Sequence, residues 1–242
     1  MSHARPERTQ PLVLLDLDGT LMDSAPGIIA SAQHAYRALG LPEPTYAELR
    51  SFVGPPITDS FPAHGVAPER VKEAVAAYRS VYVEHGMYDN SVFAGIPEQL
   101  QFLRDAGCIL AVATSKPEVY AVPIAERFGL APLVDGIFGA PLDENTSTKA
   151  DVIAKAVAAF WEPPSVEGDE VPSRNHGIIM VGDRLHDVEG AAEHGIPCLG
   201  VTWGYAAPGE LAEAGAIKTI DKVADLAATV LELLPSSCGH VG

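Results

Sequence analysis

Residues 11–24 read PLVLLDLDGTLMDS, an apolar run that ends in two carboxylates, Asp16 and Asp18, followed by Gly19 and Thr20. Like charges this close repel, and burying them costs free energy, so the pair calls for a compensating cation. Two later apolar runs also end in polar groups. AVATSK offers Thr114, Ser115 and Lys116, and VGDRLHD offers Gly182, Asp183 and, four residues on, Asp187. Lys149 stands in TSTKADVI, ahead of the second of these runs. Such oxygen ligands suit Mg²⁺, which takes octahedral oxygen coordination, keeps several waters and often shares its site with phosphate. Asp16 and Asp183 would coordinate it directly, with the backbone carbonyl of Asp18 as a third protein ligand. A phosphate dianion could then approach, its other oxygens held by Lys149, Thr114 and backbone N–H groups near Asp18 and Gly19.

Each residue also has a plainer reading. The Asp pair could form a turn or a helix N-cap, Lys149 could be a surface lysine, and Thr114 could simply end its strand, with Ser115 as the neighbouring hydroxyl. Asp187 could be an acid favoured by the dipole at a helix N-terminus. What separates the readings is whether the chain brings these residues together.

The elements that must do so alternate. Apolar runs at 12–16, 108–114, 136–140, 177–183 and 197–203, with a marginal one at 216–220, are continuous rather than alternating, as strands of a parallel sheet buried on both faces should be. Helical patterns at 95–107, 117–129, 148–161, 187–195 and 221–234 lie between and after them, with Pro123 expected to interrupt or kink the second. Strand–helix alternation predicts a doubly wound, Rossmann-like α/β fold. Ligands in such folds bind beyond the carboxyl ends of the strands, where every polar group named above lies.

One stretch breaks the rhythm. Residues 24–92 hold no convincing buried strand but show helical patterns at 26–40, at 45–52 (opening on Thr45 and Glu48 in capping-box spacing) and at 67–86. The organisation expected is an α/β core of residues 11–23 plus 93–235, a small helical domain of 24–92 inserted after the first strand, and tails at 1–10 and 236–242. Residues 162–176 read as a Pro-rich acidic loop.

The formal net charge of −16, from 16 Lys plus Arg against 32 Asp plus Glu, disfavours nucleic-acid backbones and anionic lipid as partners. The three cysteines, Cys108, Cys198 and Cys238, show no metal-binding spacing, and the first two sit in apolar runs as buried hydrophobes. No apolar leader or span is evident, and a cytoplasmic location is the expectation.

DLDGTL (16–21), the Thr of AVATSK, Lys149 and VGDRLHD (181–187) resemble, in chain order, the four motifs of the haloacid dehalogenase superfamily, and the helical insert resembles its mobile cap. DGTLMDSAPGI, with FVGPPI in the insert, is similar to the phosphoglycolate phosphatase-like and 5′-nucleotidase-like branch. The resemblance implies a sheet with the first strand between the second and fourth. It implies Asp16 as nucleophile, Asp18 as acid and base, and Thr114 and Lys149 as stabilisers of the transferring phosphoryl group. Asp183 would hold Mg²⁺, and Asp187 would ligate it directly or through water. Phe52 and Gly54 would belong to a cap loop that closes over substrate beside Ser115, or else form a plain helix–helix connection. The activity implied is hydrolysis of a small phosphorylated metabolite, best phosphoglycolate or a nucleoside 5′-monophosphate, by a monomer or homodimer. A sugar-phosphate phosphomutase and a non-catalytic protein that kept the fold are the alternatives.

Overall fold

The computed structural model describes residues 10–142, 147–160 and 177–234. The loop read at 162–176, most of both tails and Cys238 lie outside the described residues.

Six parallel strands form the sheet in the order β5-β4-β1-β6-β7-β8: β1 (Leu12–Leu15), β4 (Ile109–Pro117), β5 (Gly136–Ala140), β6 (Ile178–Gly182), β7 (Cys198–Val201) and β8 (Lys218–Ile220). The first strand is therefore flanked by β4 and β6, as expected, and the marginal run near 216–220 is indeed an edge strand. Burial on both faces explains the unbroken apolar character of β1. Val13 and Leu15 pack into one cluster, with Leu100 and Leu103 of α4 (Ile96–Asp105), Ile124 of α5 (Glu118–Arg127) and Val230 of α9 (Leu226–Leu233). Leu12 and Leu14 point into the other, with Val152 and Ile153 of α6 (Lys149–Phe160), Val188 of α7 (Leu185–Ala192) and Leu211 of α8 (Glu210–Ala214). Cys108 and Cys198 are buried apolar neighbours in these clusters.

Helix α5 runs through Pro123 without a break. The bond that proline forgoes would have reached the carbonyl of Val119, on the solvent side of the helix, where water can serve it.

Between β1 and α4 the chain makes a two-residue strand β2 (Met22–Asp23), helices α1 (Ala25–Ala38), α2 (Ile57–Ala63) and α3 (Val71–Tyr82), and a second short strand β3 (Ser91–Val92). β2 and β3 pair antiparallel, so the ends of the helical segment are tied together where it leaves and rejoins the sheet. Periodicity gives no sign of so short a ribbon. The Thr45–Glu48 capping box forms, with the Thr45 hydroxyl donating to Glu48 at 2.7 Å, yet it opens only a 3₁₀ turn, Glu48–Phe52. Gly54, at φ +108°, and the prolines at 55 and 56 prevent a longer helix there. The pattern read at 67–86 is helical only to Tyr82; beyond it, Gly86 packs on Gly27 so closely that a Cβ on Gly27 would strike the Gly86 carbonyl. Among the described residues no helix is long and apolar enough to cross a membrane.

Candidate active site

The carboxyl ends of β1, β4 and β6 converge. The Asp16 N–H donates to the Val181 carbonyl at 3.0 Å, extending the β1–β6 ladder one residue and fixing the Asp16 backbone at the strand tip. Lys149 comes from the opposite direction. Thr148 and Asp151 cap α6 reciprocally, the Thr148 hydroxyl donating to Asp151 at 3.0 Å and the Asp151 N–H to Thr148 at 3.2 Å, which places Lys149 at the first helical position. A cation there opposes the helix dipole. Two carboxylates offset this: the ammonium lies 2.5 Å from Asp16 Oδ1 and 2.6 Å from Asp187 Oδ1.

Asp183 and Asp187 are held as firmly. Asp183 accepts from the Thr20 hydroxyl at 3.2 Å and from the Tyr205 N–H at 2.8 Å. Asp187 Oδ2 accepts from the Arg184 N–H at 3.0 Å, so this residue is both the expected helix-terminal acid and a member of the cluster. Asp16, Asp183 and Asp187 each place a carboxylate oxygen within 4.8 Å of the others. Glycines make this proximity possible. A Cβ on Gly19 or Gly204 would collide with the Asp183 carboxylate, and one on Gly182 with the Asp187 side chain. Gly19 also adopts φ +89°, which L side chains rarely take. Its N–H, expected near phosphate, donates instead to the Met22 carbonyl at 2.7 Å. Thr114 is buried in β4, which runs on past the expected end at 114 to Pro117 through an irregularity in its pairing, and its hydroxyl accepts from the Lys116 N–H at 3.3 Å.

Burial raises the Asp16 carboxyl to about 7, Lys149 pulling it down while Asp187 and Asp18 push it up. Asp183 is also raised, by burial and then by the charges of Asp187 and Asp16. Burial works against a charged Lys149, but Asp16 and Asp187 override it and hold the ammonium above its ordinary range. Four buried carboxylates, Asp16, Asp18, Asp183 and Asp187, face two buried ammonium groups, Lys116 and Lys149, since the charge of Arg184 is met by Glu210 at 2.8 Å. With all four ionised, two negative charges are in excess, which one divalent cation would offset; in the metal-free cluster the raised Asp16 and Asp183 carboxyls offset it by holding protons.

Asp18 lies on the side facing the helical segment. It lines a small cavity, about 40 Å³, with Phe52, Gly54, Tyr78, Arg79, Tyr82, Ser115 and Lys116 among the other walls. Phe52, Gly54 and Ser115, the substrate-side candidates of the sequence, are thus among its walls. Of the helical segment's cations, Arg79 lines the cavity and donates to the Leu142 carbonyl at 2.8 Å, whereas Lys72 is exposed. Three further residues bear on the site: the sequence offers Lys116 as a strand-end ammonium without fixing its role, leaves Arg184 between substrate contact and a surface role, and does not single out Tyr82. Lys116 Nζ lies 2.9 Å from Asp18 Oδ2 and donates to the Tyr82 hydroxyl oxygen at 2.6 Å. Arg184 donates to the Val53 carbonyl at 2.6 Å, joining the loop after β6 to the Phe52–Gly54 loop. The motif-adjacent positions of Lys116 and Arg184 were a signal; Tyr82 gave none beyond its place on the apolar stripe of α3.

Known proteins carry the same framework. The chain is 43% identical over 200 residues to the tyrosine-protein kinase PtkA of Mycobacterium tuberculosis, a match covering 83% of this chain and 65% of that protein, so it spans about two-thirds of that relative's length. It is 39% identical over 202 residues to a 5′-nucleotidase of Pseudomonas aeruginosa, covering 83% of this chain and 86% of that one. The crystal structure of a predicted phosphatase from Clostridium acetobutylicum superposes with a TM-score of 0.82 at 38% identity, covering 93% of this chain and 99% of that one. The sequence profile of the haloacid dehalogenase-like hydrolases matches residues 13–201, a span that holds every side chain of the converged cluster, and the chain belongs to that family.

Proposed function

We propose that the protein is a Mg²⁺-dependent phosphomonoester hydrolase acting on a small phosphorylated metabolite through an aspartyl-phosphate, with residues 24–92 as its cap. The observation that carries this reading is the convergence of Asp16, Asp183, Asp187 and Lys149 at the strand ends, beside a cavity that contains Asp18. The donor set fits the ion: all-oxygen ligands, buried, with a two-charge deficit. Asp16 and Asp183 would ligate it with the Asp18 carbonyl, and Asp187 directly or through water. Bound there, Mg²⁺ supplies positive charge to the carboxylates and to the phosphoryl oxygens.

The chain's own groups carry the steps. An oxygen of Asp16 attacks phosphorus, and the bond from phosphorus to the leaving oxygen breaks as Asp18 gives that oxygen its proton. Lys149 and Thr114 take up charge on the equatorial oxygens. Asp18, now a carboxylate, removes a proton from the water that attacks the aspartyl-phosphate, releasing phosphate and restoring Asp16. The closed cap excludes other water from the intermediate.

Two substrate classes have specific support. The small cavity, with cationic Lys116 and Arg79 in its walls, favours a compact anionic leaving group such as that of phosphoglycolate. The 39% identity to a 5′-nucleotidase favours a nucleoside 5′-monophosphate, which would need a wider opening of the cap. Phosphate release from a panel of phosphorylated metabolites, with and without Mg²⁺, is expected to single out one of them. Conversion of a sugar 1-phosphate to its isomer without phosphate release would favour the mutase. Transfer of phosphate from ATP to protein tyrosine, the reading suggested by the name of the mycobacterial relative, would count against hydrolysis as the main reaction. Absence of any turnover would favour a binding protein.

Gly204→Ala offers a narrower test. The added methyl displaces the Asp183 carboxylate, and a shift of about 1 Å in such a group costs on the order of 100-fold in kcat. Steady-state kinetics beside a thermal melt should show the loss without unfolding at assay temperature; an unaltered kcat would mean that Asp183 need not be held so tightly.

A further inference from the structure

We infer that Tyr82, at the end of cap helix α3, and Lys116, at the end of strand β4, are positioning residues that orient the Asp18 carboxyl for leaving-group protonation, and that they do so only when the cap is seated. The inference rests on the phosphomonoesterase reading above and adds a role for two residues that this mechanism does not use.

Three observations support it. Lys116 is nearly sealed from solvent and bridges two parts of the fold, with Asp18 Oδ2 at 2.9 Å on the sheet side and the Tyr82 hydroxyl at 2.6 Å on the cap side. The Tyr82 ring is itself fixed. It stacks on Tyr78 of α3, with centroids 5.1 Å apart at 18°, and meets the edge of Tyr120 from α5, 5.7 Å away at 69°. The other Asp18 oxygen, Oδ1, is buried with no hydrogen-bond partner among the described residues, while Asp18 lines the cavity. An orphaned buried acceptor is costly, and at a site wall such an atom is open to a ligand.

The division of labour within Asp18 follows. Lys116 engages Oδ2 through a charge-assisted bond, which fixes the plane of the carboxyl group and leaves Oδ1 for the leaving oxygen. A lysine alone does this poorly, because its four-carbon stem has much rotamer freedom to lose. Tyr82 supplies the second anchor. Since that anchor belongs to α3, lifting the cap removes it, and Asp18 loses its fixed orientation while the site is open to bulk water. In the closed state the Asp16–phosphorus bond forms, the bond from phosphorus to the leaving oxygen breaks, the Asp18 proton passes to that oxygen, and the resulting carboxylate stays paired with Lys116.

The test exploits the leaving group. A nitrophenolate departs without needing a proton, whereas an alkoxide does not. Tyr82→Phe keeps the ring stack and removes only the hydroxyl. The ratio of kcat/KM for the best alkyl phosphomonoester of the panel to kcat/KM for p-nitrophenyl phosphate, which reports phosphoryl transfer to Asp16 and not the shared hydrolysis step in which Asp18 is the base, is expected to fall on the order of tenfold, part of the 10²–10⁴ that general acid catalysis supplies in full. KM for the alkyl substrate should move less than kcat. Lys116→Met should lower the same ratio further, and Lys116→Arg should recover part of it; this pair carries the comparison if Tyr82→Phe folds poorly. An equal loss on both substrates, as from a fold defect, or an unchanged ratio overturns the inference while leaving the phosphatase reading intact. Wild-type protein that releases phosphate from neither substrate overturns that reading, and the inference with it.

Discussion

Asp16→Asn should abolish phosphate release, lowering kcat on the order of 10⁴-fold or more, while the protein stays folded. The size follows from the proposed role: an amide is a poor nucleophile, and removing a group that forms the covalent bond would remove the step rather than slow it. The folding half of the prediction follows from the electrostatics. The Asp16 carboxyl is fully buried and is pushed up to about 7 by that burial, with Asp187 and Asp18 adding repulsion against the pull of Lys149. Taking its charge away relieves a strained cluster, and Lys149 keeps Asp187 at 2.6 Å as a counter-ion. Without Mg²⁺ at pH 8, the variant should therefore melt at or above the wild-type temperature. The two measurements, phosphate release and thermal midpoint, must part company. Residual turnover above about one per cent of wild type would reassign the nucleophile.

The sequence made the sheet side of this site legible because β-strands impose simple rules. A continuous apolar run such as LVLLD has one physical reading in an alternating chain, a strand buried on both faces, and ligands gather where such strands end. Asp16, Thr114 and Asp183 could be placed that way, and Lys149 by its position between TST and ADVI, at the start of the helix ahead of the Asp183 strand. The side formed by the helical segment was not legible in the same way. Helical periodicity puts Ala74, Val75, Tyr78 and Tyr82 on one buried stripe, but it cannot say that the hydroxyl of the last reaches across to Lys116. Nor can it show that Arg184 turns to meet a carbonyl more than a hundred residues earlier, at Val53. Such contacts depend on how two packed bodies face each other, and nothing local in the chain encodes that. The same limit explains the 3₁₀ turn at Glu48–Phe52: the capping box was correctly recognised, but the glycine and prolines after it decided how far the helix could run.

Mg²⁺ should stabilise the protein strongly at pH 8 and hardly at all at pH 5. The metal-free cluster sets the sign. Asp16 rises from 3.8 to about 7, chiefly through burial, and Asp183 is raised as well, so the folded state holds more protons than the unfolded state between about pH 4 and 7. Stability then falls as pH increases through that window. Above it Asp16 is charged and crowded by its acidic neighbours, with Lys149 bridging Asp16 and Asp187. Below it, protons occupy the oxygens that a metal needs. A cation that binds only the folded, deprotonated cluster contributes about 2.7 kcal/mol at 100 times its Kd. At about 2–4 °C per kcal/mol for a chain of this length, the melting midpoint should rise by roughly 5–10 °C at pH 8. At pH 5 the rise should be under about 2 °C, because proton release must precede binding. Thermal melts with Mg²⁺ or with chelator at both pH values check this without any reference to activity. Asp183→Asn should lose most of the shift at pH 8, since it removes one of the three carboxylates within 4.8 Å of one another. An equal rise at pH 5 and pH 8, or a rise that survives Asp183→Asn, would place the ion somewhere other than at the ends of β1 and β6.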